Sequence, residues 1–169
     1  MVKVAKKVKA HVKFLSTDKA FHPVSIYGYS KAWAEQIVLD AGYTVIRSGN
    51  IFKSSGSVVP LFIQQVKDNN VLTLTDGNMT RFFISVRDLV TYMGAVLWEN
   101  TIFTPDMQAF RLRDIAEVVK HIHGNQFTEI KETGIRPGEK MHEILNGRNS
   151  LDCLGSMRDL YELFDVIGL

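Results

Sequence analysis

Residues 25–67 read SIYGYSKAWAEQIVLDAGYTVIRSGNIFKSSGSVVPLFIQQVK, and this stretch decides the fold class. Ile26, Trp33, Ala34, Ile37 and Val38 recur at helical spacing over residues 25–41, and Gly42 stands where a helix would stop. Thr44, Val45 and Ile46 make a short β-branched strand. A loop of small polar residues follows over 48–57, then a second helix over about 59–67. Helix, strand, loop and helix in that order are units of an α/β fold.

The alternation continues on both sides. Upstream, Val2, Val4, Ala5, Val8 and Val12 interleave with lysines in the pattern of a short amphipathic helix, with a strand over 11–16. Downstream, strands are expected over 71–74, 82–85, 102–104 and 127–131, and helices over 87–99, 112–123 and 139–145. Regular alternation of this kind predicts a mostly parallel sheet. Leu160, Leu163, Phe164 and Ile167 are spaced for a tail helix over 157–167, read as a packing helix or an oligomer contact. Trp33 and Trp98 are expected in the core. No internal repeat, low-complexity tract or linker interrupts the chain.

Composition narrows the function classes. With 46% hydrophobic and 22% charged residues, 169 residues can build one core. The formal charge is +2, although Lys3, Lys6, Lys7, Lys9 and Lys13 crowd the first thirteen positions. A nucleic-acid partner would call for a broader basic face with interleaved aromatics, so none is expected. Cys153, the single cysteine, excludes an internal disulfide and a Cys-based zinc cluster; it reads as a small buried hydrophobe in a reducing cytoplasm. No apolar run approaches the ~20 residues of a membrane helix, and the start lacks a secretory h-region. A soluble cytoplasmic protein without a membrane partner is expected. His121 and His123 stand two apart and face different ways on a helix, so they read as solvated helix-end residues and no metal is expected. His11 and His22 are scattered, and His142 beside Glu143 reads at most as a support for the site.

Two short motifs carry chemistry. Tyr27 and Lys31, four residues apart, share one helix face. A phenol is a poor base at neutral pH, and a fixed cation beside it stabilises phenolate, so Tyr27 could accept a hydroxyl proton while hydride leaves the same carbon. An ordinary surface pair is the alternative. Thr17, Asp18 and Lys19 end the first predicted strand, where ligands sit in parallel α/β sheets. They offer a carboxyl group and an amine side by side, or else a solvated turn capped by Asp18.

The run 16–31, STDKAFHPVSIYGYSK, resembles the active-site segment of UDP-N-acetylglucosamine 4,6-dehydratases. These belong to the extended short-chain dehydrogenase/reductase superfamily and are related to capsular-polysaccharide synthesis proteins. Further blocks resemble the family in order: Arg47 with Gly49-Asn50, Gly56-Ser57-Val58-Val59-Pro60, Met79-Thr80-Arg81-Phe82 and Ile135-Arg136-Pro137-Gly138-Glu139-Lys140. Together they cover roughly residues 10–146.

The resemblance implies the C-terminal part of a Rossmann-like doubly wound parallel sheet with a small α/β substrate-binding region. It divides the chain into a partial catalytic region (1–100) lacking the Gly-rich cofactor motif, a substrate-binding region (101–146) and a tail helix (147–169). The implied reaction oxidises C4 of the sugar, removes the C5 proton, expels the C6 hydroxyl as water and returns hydride to C6. Tyr27 would be the base at C4, Lys31 its cationic partner and a ribose contact, and Thr17 a hydrogen-bond donor to the C4 oxygen. Asp18 would be the acid for the C6 hydroxyl and Lys19 the base at C5. An amine at position 19 points to UDP-N-acetylhexosamine substrates, since dehydratases of dTDP-glucose carry Glu there and simple 4-epimerases carry small residues. Arg81 and Arg136 would bind the diphosphate, and Asn50 and Glu139 would orient the nucleotide.

Family members open with a strand, a Gly-rich turn and a helix that bind the cofactor pyrophosphate. Fifteen residues precede Ser16 here, so NADP or NAD is expected only with a separate N-terminal chain. Ser48, Lys53 and Ser55 stand where the family leads one to expect Tyr, Gly and Arg. A UDP-sugar and a second copy of the chain are the other expected partners. The alternative is an inactive homologue that binds a sugar nucleotide or serves as an assembly subunit.

Overall fold

The computed structural model describes residues 1–165, and the fold is the expected α/β one. Helix α1 (Val2–Val8) stops at Lys9, which adopts a left-handed conformation with φ 54°. Strand β1 (Lys13–Thr17) leads into a single 3-10 turn, Asp18–Ala20. Helix α2 (Ile26–Asp40) starts where the Ser25 side chain accepts the Gly28 N–H, which satisfies one of the free donors of its first turn. Gly42, at φ +84°, reverses the chain into β2 (Thr44–Ser48). The two strands run parallel in register from Lys13 opposite Thr44 to Thr17 opposite Ser48.

Strand β3 (Asn50–Ile51) precedes α3 (Val58–Asn69), β4 (Val71–Leu74) and β5 (Thr80–Ile84). Next come α4 (Val86–Ala95), β6 (Ile102–Phe103), β7 (Gln108–Arg111) and α5 (Leu112–His123). The chain closes with β8 (Glu129–Glu132), β9 (Ile144–Leu145), β10 (Arg148–Asn149) and α6 (Met157–Asp165). Sheet order is β1-β2-β6, β3-β5-β7, β4-β8 and β10-β9. Pairing is parallel except for β5 with β7 and β9 with β10.

Two apolar clusters hold these pieces. In one, Phe62 of α3, Leu72 of β4, Val118 and Val119 of α5 and Phe164 of α6 are buried together. In the other, Ile46 of β2 meets Phe82 of β5, Leu89 of α4 and Leu145 of β9, which ties the first sheet to the second. No helix among the described residues is long and apolar enough to cross a membrane.

Several expectations need correction. Residues 139–145 are not helical. The Arg81 guanidinium donates to the carbonyls of Lys140 and Met141, and the Thr80 N–H also takes the Met141 carbonyl, so acceptors that a helix would use internally are spent on β5. Helix α4 ends at Ala95, before the expected residue 99, because the Thr44 hydroxyl captures the Glu99 carbonyl at 2.7 Å. Trp33 and Trp98 are 74% and 59% exposed. Helix α2 buries Gly28, Glu35 and Val38 instead, so its packed face is set by the fit to β1 and β2 rather than by its largest apolar residue. Cys153 is only partly buried. His123 is not a solvated residue: its Nε2 is buried without a hydrogen-bond partner. Of the expected tail helix, Val166 and Ile167 lie outside the described residues.

Candidate active site

The site begins where β1 runs out. Thr17 is extended, and its hydroxyl accepts the Lys19 N–H that opens the 3-10 turn while donating to Asp18 Oδ1 at 2.9 Å. Asp18 is fully buried. Its Oδ1 also accepts from the Lys19 ammonium at 3.0 Å, whereas Oδ2 is buried with no partner. Lys19 Nζ donates further to Asn50 Oδ1 at 3.2 Å and lies 3.9 Å from Glu143 Oε1.

Gly28 brings the second motif against the first. A Cβ there would sit 2.5 Å from the Lys19 carbonyl oxygen, so only glycine lets the first turn of α2 lie on the Asp18–Ala20 turn. Tyr27 and Lys31 follow on that helix. Lys31 Nζ donates to the Leu15 carbonyl at 3.4 Å and stands 5.0 Å from the Phe14 ring centre. Tyr27 is half-exposed. Helix α2 is fixed to β2 by Arg47, whose Nε donates to Glu35 Oε1 at 3.0 Å while its NH2 group binds Glu35 Oε2.

Two clefts meet at this turn, off the carboxyl ends of β1 and β2 as the parallel arrangement requires. The first, about 320 Å3, is lined by Thr17, Lys19, Tyr27, Lys31, Asn50 and Ser57 among others. The second, about 540 Å3, shares Lys19, Asn50, Gly56 and Ser57 with it and is lined by Arg81, Arg136 and Glu139. Eight of the nine residues singled out from the sequence thus line these two clefts, and Asp18, fully buried beside Lys19, lines neither. A separate groove of about 500 Å3, lined by Asp88, Asp106, Arg148, Cys153 and Glu162, contains none of them.

Arg81 differs in character from Arg136. It is 9% exposed, and its two terminal nitrogens donate to the carbonyls of Thr80, Met141 and Lys140 and contact Met79 Sδ. It clamps the 140–141 backbone against β5. Arg136 and Glu139 are exposed in a turn where Gly138 has φ +84°, and Glu139 Oε2 accepts the Arg136 N–H at 3.4 Å.

Sequence reasoning missed Glu143 and Lys140 as site residues. Glu143 is 3% exposed and accepts from Lys140 Nζ at 3.2 Å, and Lys140 also donates to the Phe21 carbonyl at 2.8 Å. Their segment, EKMHEIL, reads as a helix turn, which hid that both side chains approach residues 19–21. Ser16 and Ser57 were missed too. Each lines the first cleft with a buried hydroxyl that has no partner.

A family model described as polysaccharide biosynthesis protein matches residues 1–162. This chain belongs to that family. Among curated members of similar sequence, the probable polysaccharide biosynthesis protein EpsC of Bacillus subtilis is 35% identical over 149 residues, 81% of this chain and 25% of EpsC. A protein named UDP-glucose 4-epimerase from Rickettsia conorii is 36% identical over 161 residues, 88% of this chain and 47% of that protein. The chain therefore spans a quarter to about half of these relatives. Among solved structures, Pen from Bacillus thuringiensis superposes with a TM-score of 0.87 at 25% identity, covering 98% of this chain and 66% of Pen. The family fold is Rossmann-like, and here it places the Asp18–Lys19 turn at the strand ends where such folds bind ligands.

Proposed function

We propose that this chain carries the catalytic and substrate-binding residues of a nucleotide-sugar 4,6-dehydratase acting on UDP-N-acetylglucosamine in surface polysaccharide or glycan biosynthesis. The reading rests on one observation: a buried carboxyl group and an amine, Asp18 and Lys19, stand in contact at the junction of two clefts. Elimination of water needs an acid for the leaving hydroxyl and a base for the adjacent C–H, and this pair provides both.

In the proposed cycle Tyr27 takes the C4 hydroxyl proton, with Lys31 stabilising the phenolate and Thr17 holding the C4 oxygen. With the proton that the pair shares resting on the Asp18 carboxyl group, the free Lys19 amine takes the C5 proton and Asp18 gives its proton to the departing C6 hydroxyl. The second cleft holds the nucleotide: Arg136 binds the diphosphate, Asn50 and Glu139 orient it, and Arg81 contributes chiefly by clamping the 140–141 backbone beneath it. The unpaired hydroxyls of Ser16 and Ser57, with Tyr27 and Lys31, suit the nicotinamide end of NADP or NAD in the first cleft. That group would supply the hydride acceptor and donor. Strand β1 has an open edge, and we assign it to a strand of polypeptide that holds the rest of the nucleotide. The exposed stripe Ile26, Tyr29, Trp33 and Ile37 on α2 suits a second copy of the chain.

A 4-epimerase is the second reading, favoured by the name of the Rickettsia conorii relative at 36% identity. Epimerisation uses Thr17, Tyr27 and Lys31 but leaves Asp18 and Lys19 without a task. Lys19→Ala separates the two. The dehydratase reading expects bound nicotinamide to be reduced on adding substrate, seen by its absorbance, with no dehydrated product released. Full turnover by Lys19→Ala would contradict it.

A further inference from the structure

Glu143 is a buried carboxylate to which the scheme above gives no task. Burial of an ionised carboxylate is unfavourable unless fixed partners repay it. Its partners are fixed with unusual completeness. Oε2 accepts from Lys140 Nζ at 3.2 Å, and Lys140 is itself held by the Phe21 carbonyl, one residue beyond the catalytic turn. The Glu143 N–H donates to Ser150 Oγ at 2.9 Å, and its carbonyl accepts the Ser150 N–H at 2.8 Å. Ser150 is fully buried and bonds Thr80 Oγ1, which also meets His142 Nδ1 at 2.8 Å. The backbone of Glu143 is thus pinned to β5, and its side chain is pinned to the turn. The remaining oxygen, Oε1, faces Lys19 Nζ at 3.9 Å. That is too long for a hydrogen bond and close enough for a charge interaction across a partly buried pair.

We propose that Glu143 is the positioning residue for Lys19 in the C5 proton transfer. The proposal rests on the dehydratase reading. As Lys19 takes the C5 proton, the C5–H bond breaks, a new N–H bond forms and the amine becomes an ammonium. In the same elimination the C6–O bond breaks, and Asp18 transfers its proton to the leaving hydroxyl, which departs as water. A positive charge therefore grows on Lys19 between two acidic groups. Asp18 faces it from the same turn, Asn50 faces it from β3 as a neutral acceptor, and Glu143 faces it from the 140–143 segment with Lys140 on its far oxygen. Among the described residues, Glu143 is the one carboxylate facing Lys19 that exchanges no proton with the sugar. It orients the amine and stabilises the ammonium as it forms, as preorganised charges do for developing charge elsewhere. It has no such part in C4 oxidation, where Tyr27 and Lys31 act.

The test uses the complete enzyme, cofactor-binding portion included, with UDP-N-acetylglucosamine in deuterated water. Three quantities are read: reduction of the bound nicotinamide in one turnover, deuterium entry at C5, and dehydrated product. In Glu143→Gln, nicotinamide reduction is expected at the wild-type rate and KM unchanged. Deuterium entry and kcat should fall on the order of 10²-fold, the usual loss when one electrostatic stabiliser is removed. Glu143→Asp, which keeps the charge, should recover part of the loss and provides a second readout if the amide variant folds poorly. A wild-type enzyme that exchanges at C5, paired with a Glu143→Gln variant equal to it or slowed equally at C4 and C5, would overturn this role alone. A wild-type enzyme with no exchange at C5 and no dehydrated product would overturn the dehydratase reading and this role with it.

Discussion

Gly28 shows how one missing methyl group sets the site. The atom nearest its absent Cβ is a backbone oxygen, that of Lys19 at 2.5 Å, and backbone cannot rotate away as a side chain can. Gly28→Ala should therefore shift α2 from the turn and destabilise the fold by roughly 1–3 kcal/mol. Thermal unfolding would show the loss, and turnover should drop further than the loss of folded protein explains, since Tyr27 and Lys31 ride on the same turn of helix. Thr17, Asp18, Lys19, Tyr27 and Lys31 were legible in the sequence because their neighbours in the site are also their neighbours in the chain. Glu143 was not: more than a hundred residues separate it from Lys19, and its local pattern announced a helix.

At the scale of elements, strands and helices with strong periodicity were readable. The limits of α5 were predicted, and β4 fell where its β-branched and apolar residues placed it. Strand β7, QAFR, has no β-branched residue and forms because β5 offers it an antiparallel edge. The 139–145 segment shows the reverse case, a run with helical composition held in irregular form by tertiary contacts. Arg81 is the main holder. Arg81→Met would take the guanidinium donor from the partly buried Lys140 carbonyl, while the Thr80 N–H keeps the Met141 carbonyl paired, at a cost of about 1–3 kcal/mol. Urea unfolding should report that loss, and limited proteolysis should find the 140–145 segment newly accessible. Unchanged protection of this segment would contradict the clamp.

Across the whole molecule, the partly buried His123 gives stability a pH dependence. Burial holds His123 below its ordinary value of 6.5, and the charges of Lys67 and Lys53 push it the same way. The unfolded chain then binds the proton more readily than the folded one, so this contribution is complete above 6.5 and shrinks as pH falls below it toward the folded value. His123→Gln should flatten the difference between urea midpoints at neutral pH and about one unit below 6.5. An equal slope in both proteins would contradict the assignment. The α/β class was legible at this scale from the alternation of elements, whereas the division into small sheets was not, because short pairings such as Asn50 with Phe83 leave no pattern in sequence.

The proposed elimination at the Asp18–Lys19 turn changes the mass of the sugar. The most direct measurement is the mass of the sugar nucleotide recovered after the complete enzyme, with its nicotinamide cofactor, acts on UDP-N-acetylglucosamine. A product lighter by one water that carries a ketone at C4 is expected. A product of unchanged mass with inverted configuration at C4 would contradict the elimination.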